Sequence, residues 1–392
     1  MDGRVPVVDA DNHYYEPDDA YTRHLEPEFA DRALHIRRGP DGVGRPYFGD
    51  KPHYYLATTP VDRMGRPGAW VHDKAGRYHL LPEDDMLEPG QIPHFARRDA
   101  RLEWMDAGSI EATLLWPSLG LTVEHLMRDD PDACIANLRS FNRWLDDDWG
   151  FDFQSRIFGV PWITLIDLDA ALAELDYVLA HGARVVTVLF SPVNGRSMGD
   201  PYFDPFWARL AEAQVPLGLH GAESGYNELF SVQWGEPARP MAHEQSAFQR
   251  ATLFERSIMD TMSALVLHNV FGRHPDLQVI CVENGSAWVP YLLRVMDNGA
   301  RTGEFGEWIG GKIDDVPSEI FKRHVSIAPF DDDDFRGIVD LLGADRVLLG
   351  SDYPHPEGYP VPVAMLDGIE LSDTERTLIA HDNAATLLKL HS

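Results

Sequence analysis

The chain has 392 residues, 44% of them hydrophobic and 10% aromatic, which is enough for one large α/β core with an elaboration. Its 63 Asp and Glu against 34 Lys and Arg leave a net charge of −29, which argues against nucleic acid or an anionic membrane as partner and for a small neutral or cationic substrate. No stretch approaches the roughly 20 apolar residues of a membrane span, and the opening "MDGRVPVVDADN" has no basic segment leading into an apolar one, so a cytoplasmic protein is expected.

In chain order, short β-rich runs alternate with helical patterns. The runs are "VPVVDAD" from Val5, "IEATLLWP" from Ile110, "RIFGVPWITL" from Arg156, "ARVVTVLFSP" from Ala183, "VPLGLHG" from Val215, "LQVICVEN" from Leu277, "HVSIAPF" from His324 and "RVLLGSDYP" from Arg346. Near-continuous apolar runs are the signature of parallel strands covered on both faces, and eight of them separated by helices predict a (β/α)8 barrel. Among the helices, "LDAALAELDYVLAHG" closes on His181 and Gly182, and Ser372 with Glu375 has capping-box spacing. Asp331 to Asp334 read as an anionic helix start. Cys281 falls inside an apolar run and reads as a buried free thiol.

Two connections are long. Residues 18–99, rich in Pro, Gly, Tyr, Arg and Asp, form an insertion after strand one, and "HGAESGYNELFSVQWGEPARPMAHEQ" follows strand five. Loops at the carboxyl ends of barrel strands build the active site, so both are lid candidates on a single domain spanning 1–392.

The strand ends carry the chemistry. Asp11 and His13, one residue apart, point the same way from strand one. His220 ends strand five, Glu283 ends strand six and Asp352 lies in run eight. These carboxylates and imidazoles suit one divalent ion, with a position left open for water or substrate. Zinc is expected first, with manganese or iron as alternatives.

The segments "VDADNHYYEP", "LHGAESG", "GRHPDLQVICVENGSAWVPYLL", "LLGSDYPHPEG" and "HDNAATLL" resemble the amidohydrolase-related proteins, the branch that includes aminocarboxymuconate semialdehyde decarboxylase and the resorcylate decarboxylases. The resemblance spans nearly the whole chain, chiefly without the insertion. It implies a distorted TIM barrel, metal ligands at Asp11, His13, His220 and Asp352, and a homodimer, with the aromatic stretch from Tyr47 to Trp70 as the expected contact. Asp11 stands where relatives have the first His of His-x-His or the Glu of Glu-x-His. Glu283 stands where the decarboxylases have a His. A carboxylate there would repel an aromatic acid, and could take a proton or ligate the metal.

The first expectation is therefore hydrolysis, or the related condensation or cyclisation, of a small aromatic or cyclic substrate by metal-activated water, with Asp352 or Glu283 carrying the proton. The second is non-oxidative decarboxylation of an aromatic acid, with Arg239 offsetting the repulsion. A binding protein on a degenerate barrel is a third, and the intact ligand set speaks against it. His355 is expected to contact substrate or to orient Asp352. Trp116, Phe190 and Tyr353 either stack a flat substrate or fill the core. His268 either reaches the site or is a satisfied helix histidine. Glu16 reads as a cap or turn anchor.

Overall fold

The structure, a computed structural model, describes residues 6–56, 61–69, 86–253 and 255–390, with the side chains of 243, 252 and 253 left out. Val5, Trp70 and the parts of the insertion at 57–60 and 70–85 lie outside the described residues. Seven of the eight runs form parallel strands: β1 Val7–His13, β2 Ile110–Trp116, β3 Ile157–Gly159, β4 Val186–Thr187, β5 Leu217–His220, β6 Val279–Val282 and β7 Val325–Ile327. They pair as β1–β2–β3 and as β4–β5–β6–β7. Pro161 interrupts the third run because it has no N–H for the ladder. Pairing resumes at Trp162, which bridges Thr187 and joins the two sheets.

Run eight completes the ring through single bridges, Ile327 with Val347 on one side and Asn12 with Tyr353 on the other. Leu348 N donates to Ile327 O and Ala10 N to Leu349 O (both 2.8 Å), and His13 N donates to Tyr353 O (2.7 Å). Its backbone departs from a regular strand where the chemistry lies: Asp352 has φ +54° and, at the end of β6, Glu283 has φ +51°. Left-handed backbone at non-glycine residues is costly and tends to occur at functional sites.

Packing inside the barrel is tight. A Cβ at Gly218 would collide with the Trp116 ring, so β5 approaches β2 only because that position has no side chain. Outside, the helix Leu168–Ala180 starts at Asp167, whose side chain accepts from Ala170 N (2.8 Å), and it ends at His181 before Gly182 at φ +93°. The Ser372–Glu375 capping box forms. Asp334 caps the helix Phe335–Leu342 by accepting from Gly337 N (3.0 Å). Cys134 and Cys281 are free and buried, and burial pushes both thiols up, away from the reactive thiolate.

The connection after β1 carries an antiparallel sheet of Leu34–Arg38, Gly44–Phe48 and Lys51–Pro52. The connection after β5 winds through short turns at Tyr226–Leu229, Ser231–Trp234 and Ala242–Glu244 and the helix Ala247–Leu253. Among the described residues, no helix is long and apolar enough to cross a membrane.

Candidate functional site

At the carboxyl end of the barrel, His13 is the hub of a buried polar cluster. Its Nε2 lies 3.2 Å from Asp11 Oδ1, 3.3 Å from Asp352 Oδ1 and 3.8 Å from Glu283 Oε2. His220 Nε2 lies 3.2 Å from both Asp11 Oδ1 and Glu283 Oε2. The other nitrogen of each ring faces a backbone carbonyl: His13 Nδ1 donates to Pro117 O (3.1 Å) and His220 Nδ1 to Gly221 O (3.0 Å). A carbonyl can only accept, so both Nε2 atoms are left to face the cluster, the arrangement of metal-bound imidazoles.

Two overlapping sets bring ligand atoms within 4.8 Å of one another: Asp11, His13, His220 and Glu283, and His13, Glu283, Asp352 and His355. Among the described residues, His13 Nε2 and Glu283 Oε2 are buried without a hydrogen-bond partner. Buried polar atoms ordinarily have one, so this donor set fits a divalent cation. Five of the residues singled out from the strand ends therefore converge, and Glu283 joins the ligand atoms rather than standing apart from them.

Electrostatics in the protein alone reflect the crowding. Burial, and then Asp352, push the Glu283 carboxyl well above its ordinary range. Burial and Glu357 do the same to Asp352. Asp11 goes the other way: burial raises it, but the adjacent His13 and His220 rings outweigh that and hold it low. Burial, and next His355, lower His13 to about 3. A bound cation would favour every charged carboxylate and neutral imidazole in the cluster.

Three supports have no sequence motif of their own. Asp9, pushed up to about 6 by burial, accepts from Ser351 Oγ (2.6 Å), Asn12 Nδ2 (2.8 Å) and Ser351 N (3.0 Å), tying β1 to run eight. Its alternation with Asp11 and His13 along the strand was the signal for it. Arg101, fully buried, donates to His13 O (2.7 Å) and to Asn12 Oδ1. Ser118 Oγ donates to Tyr14 O (2.7 Å) and lies 2.9 Å from His355 Nε2, while His355 Nδ1 lies 2.6 Å from Asp352 Oδ1. Nothing in the sequence near Arg101 or Ser118 points to these long-range contacts.

Above the cluster opens a cavity of about 300 Å³. Glu283 and His355 line it, with Tyr55 and Met64 from the connection after β1 and Glu223 and Arg250 from the one after β5. His355 thus both faces the cavity and contacts Asp352.

Several expected contacts are not made. Trp116 is wholly buried, donates from Nε1 to Ala10 O (2.8 Å) and packs against His220 with ring centroids 4.9 Å apart. It is absent from the cavity lining, because β2 turns it into the barrel. His268 is not brought to the site: it ends the helix Arg256–Leu267 that leads into β6, and its Nδ1 pairs with Ser197 Oγ at 2.7 Å. A helix that precedes a strand ends near that strand's start, away from the carboxyl-end mouth. Phe190 is core, and Tyr353 stacks on Trp104 at 4.1 Å. Arg239 pairs with Glu228 beneath the Tyr54 ring and does not line the cavity. Glu16 anchors a turn, accepting from Leu119 N (3.0 Å) and Gly120 N (2.9 Å).

Similarity to known proteins was consistent with this geometry. Residues 123–390 match the amidohydrolase family model. A 2-amino-3-carboxymuconate-6-semialdehyde decarboxylase from Dictyostelium discoideum is 25% identical over 60% of this chain, an alignment that spans 62% of that protein's length. A gamma-resorcylate decarboxylase from Rhodococcus jostii (strain RHA1) is also 25% identical, over 75% of this chain and 88% of its own. The crystal structure of an amidohydrolase from Mycobacterium avium subsp. paratuberculosis K-10 superposes with a TM-score of 0.87 at 35% identity, covering 98% of this chain and 99% of that one. The barrel and a family match over more than half its length place this chain in the amidohydrolase family.

Proposed function

We propose that this enzyme is a metal-dependent carboxy-lyase that removes a carboxyl group from an aromatic acid without redox change. The observation that carries the reading is the position of Glu283. Its Oε2 sits 3.2 Å from His220 Nε2 and within the same ligand set as Asp11 and His13, so a cation bound there would offset its charge although the residue also lines the cavity. A charge offset by the cation repels an aromatic carboxylate less, which supports this reading over hydrolysis. Two relatives that share 25% of their aligned residues with this chain are decarboxylases, which supports the same reading.

Asp11, His13 and His220 would hold the ion, with Glu283 or Asp352 completing the set. When bound, the ion supplies a Lewis acid that anchors and polarises substrate oxygens. We assign zinc first and test manganese and iron beside it. The rest falls to the chain. Loss of CO2 breaks the ring–carboxyl bond, leaves its electron pair on the ring carbon, and requires one proton at that carbon. His355 lines the cavity and can deliver it, and Asp352 holds His355 in place through the 2.6 Å contact.

The test is a panel of hydroxybenzoic acids, neutral amides and lactones, offered to protein loaded with zinc, manganese or iron. Carbon dioxide released in step with the decarboxylated phenol is the expected result. Turnover of amides or lactones with no CO2 from any acid would restore hydrolysis.

A further inference from the structure

The cavity walls carry an uneven set of charges. Glu223, Glu283 and Glu357 line it, against Arg250 as the only cationic side chain among the described lining residues. In a chain with net charge −29, most guanidiniums are drawn into ion pairs. Arg239, in the same connection, pairs with Glu228, and Arg256 pairs with Asp260 at 3.1 Å. Arg250 enters no ion pair among the described residues. It donates from Nη2 to Ala242 O (3.0 Å), and Ala242 N in turn donates to Tyr55 O (2.9 Å). The guanidinium is therefore positioned where the connections after β1 and β5 meet, with most of its donors uncommitted among the described residues. It is exposed, whereas Asp11, His13 and His220 are buried, so it stands toward the mouth and the cluster lies at the floor.

We propose that Arg250 is the specificity residue of this cavity, receiving a second anionic group of a ring substrate whose first carboxylate faces the Asp11–His13–His220 cluster. The preferred class is then a small aromatic diacid rather than a monoacid. Planar guanidinium pairs with carboxylate through two parallel hydrogen bonds, which selects both charge and geometry. Glu223 and Glu357 sharpen the choice, since an anion placed elsewhere along the wall would meet like charge. This rests on the carboxy-lyase reading for the orientation of the reacting carboxylate, but not for the binding preference itself.

The experiment measures binding without turnover. Isophthalate and benzoate are titrated by calorimetry into the protein as purified with its metal, then into Arg250→Gln, Arg250→Lys and Arg239→Gln. The expected result is isophthalate binding at least about tenfold tighter than benzoate in the parent. The preference should vanish in Arg250→Gln, persist in part in Arg250→Lys, and remain whole in Arg239→Gln, which removes an equal charge outside the cavity. Equal affinities, no binding of isophthalate by the parent, or a preference that survives Arg250→Gln would overturn the assignment. If the preference holds while no aromatic acid releases CO2, the carboxy-lyase reading fails and the specificity assignment stands.

Discussion

The floor and the rim of the cavity are built on different physics. At the floor, Asp11, His13 and His220 leave rigid strand ends, are buried, and have their orientation set by backbone carbonyls and by neighbours such as Asp9. Around it, on the connections between strands and outside the cavity lining, the pairs Arg128–Glu228 and Arg239–Glu228 join partly exposed side chains and make up the rim. Burial makes each polar contact at the floor expensive to break, while solvent screening keeps each rim pair near 0 to about 1 kcal/mol. The division is that of a barrel enzyme in which strand ends hold the chemistry and loops choose the substrate.

The comparison predicts a descending series of effects. Removing a ligand comes first: His220→Ala should lose most of its metal by elemental analysis, and activity should fall by more than the roughly 10–100-fold typical of losing an outer partner. Chelation of the parent should match it, and re-addition of metal should rescue only the parent. A mutant with parental metal content would show that the floor is not the ion site.

Glu283→Gln comes next. The swap is nearly isosteric, so the circular dichroism spectrum should be unchanged while turnover falls by roughly 100- to 10,000-fold, as for a lost acid or base. Full activity in this variant would remove Glu283 from both the ligand and the proton roles.

Ser118→Ala sharpens the boundary between the two regions, because Ser118 lies on a connection yet acts on the floor through His355. A roughly 10–100-fold loss in metal affinity or turnover is expected, with Ser118→Thr recovering part of it if the hydroxyl reaches His355. Parental metal affinity and turnover in the alanine variant would place Ser118 with the rim.

The smallest effect belongs to the rim. Arg239→Ala leaves Glu228 still paired with Arg128, so the denaturant midpoint should move by no more than about 1 kcal/mol of stability. A shift of several kcal/mol would mean that the rim is as tightly coupled as the floor.

Much of this was legible in the residues themselves. Period-two alternation placed Asp11 and His13 on one face, and the carboxyl ends of the apolar runs singled out His220 and Glu283, because a parallel barrel brings all such ends to one mouth. Cap signals at Ser372, Glu375 and Asp334 were equally readable, since a cap is a contact within one helical turn. Only the tertiary structure decided what depends on distant segments meeting. Run eight has the composition of a strand but joins the ring through single bridges, and its backbone turns left-handed at Asp352. Trp116, readable either as a stacking residue or as core, is packed under His220, filling space that Gly218 leaves. His268 ended away from the mouth, and Arg101 and Ser118 reached the site from 88 and 237 residues along the chain from their partners His13 and His355. A periodic pattern reports which face a side chain takes. Which side chain lies opposite is set by barrel closure and loop packing, and those are properties of the folded chain as a whole.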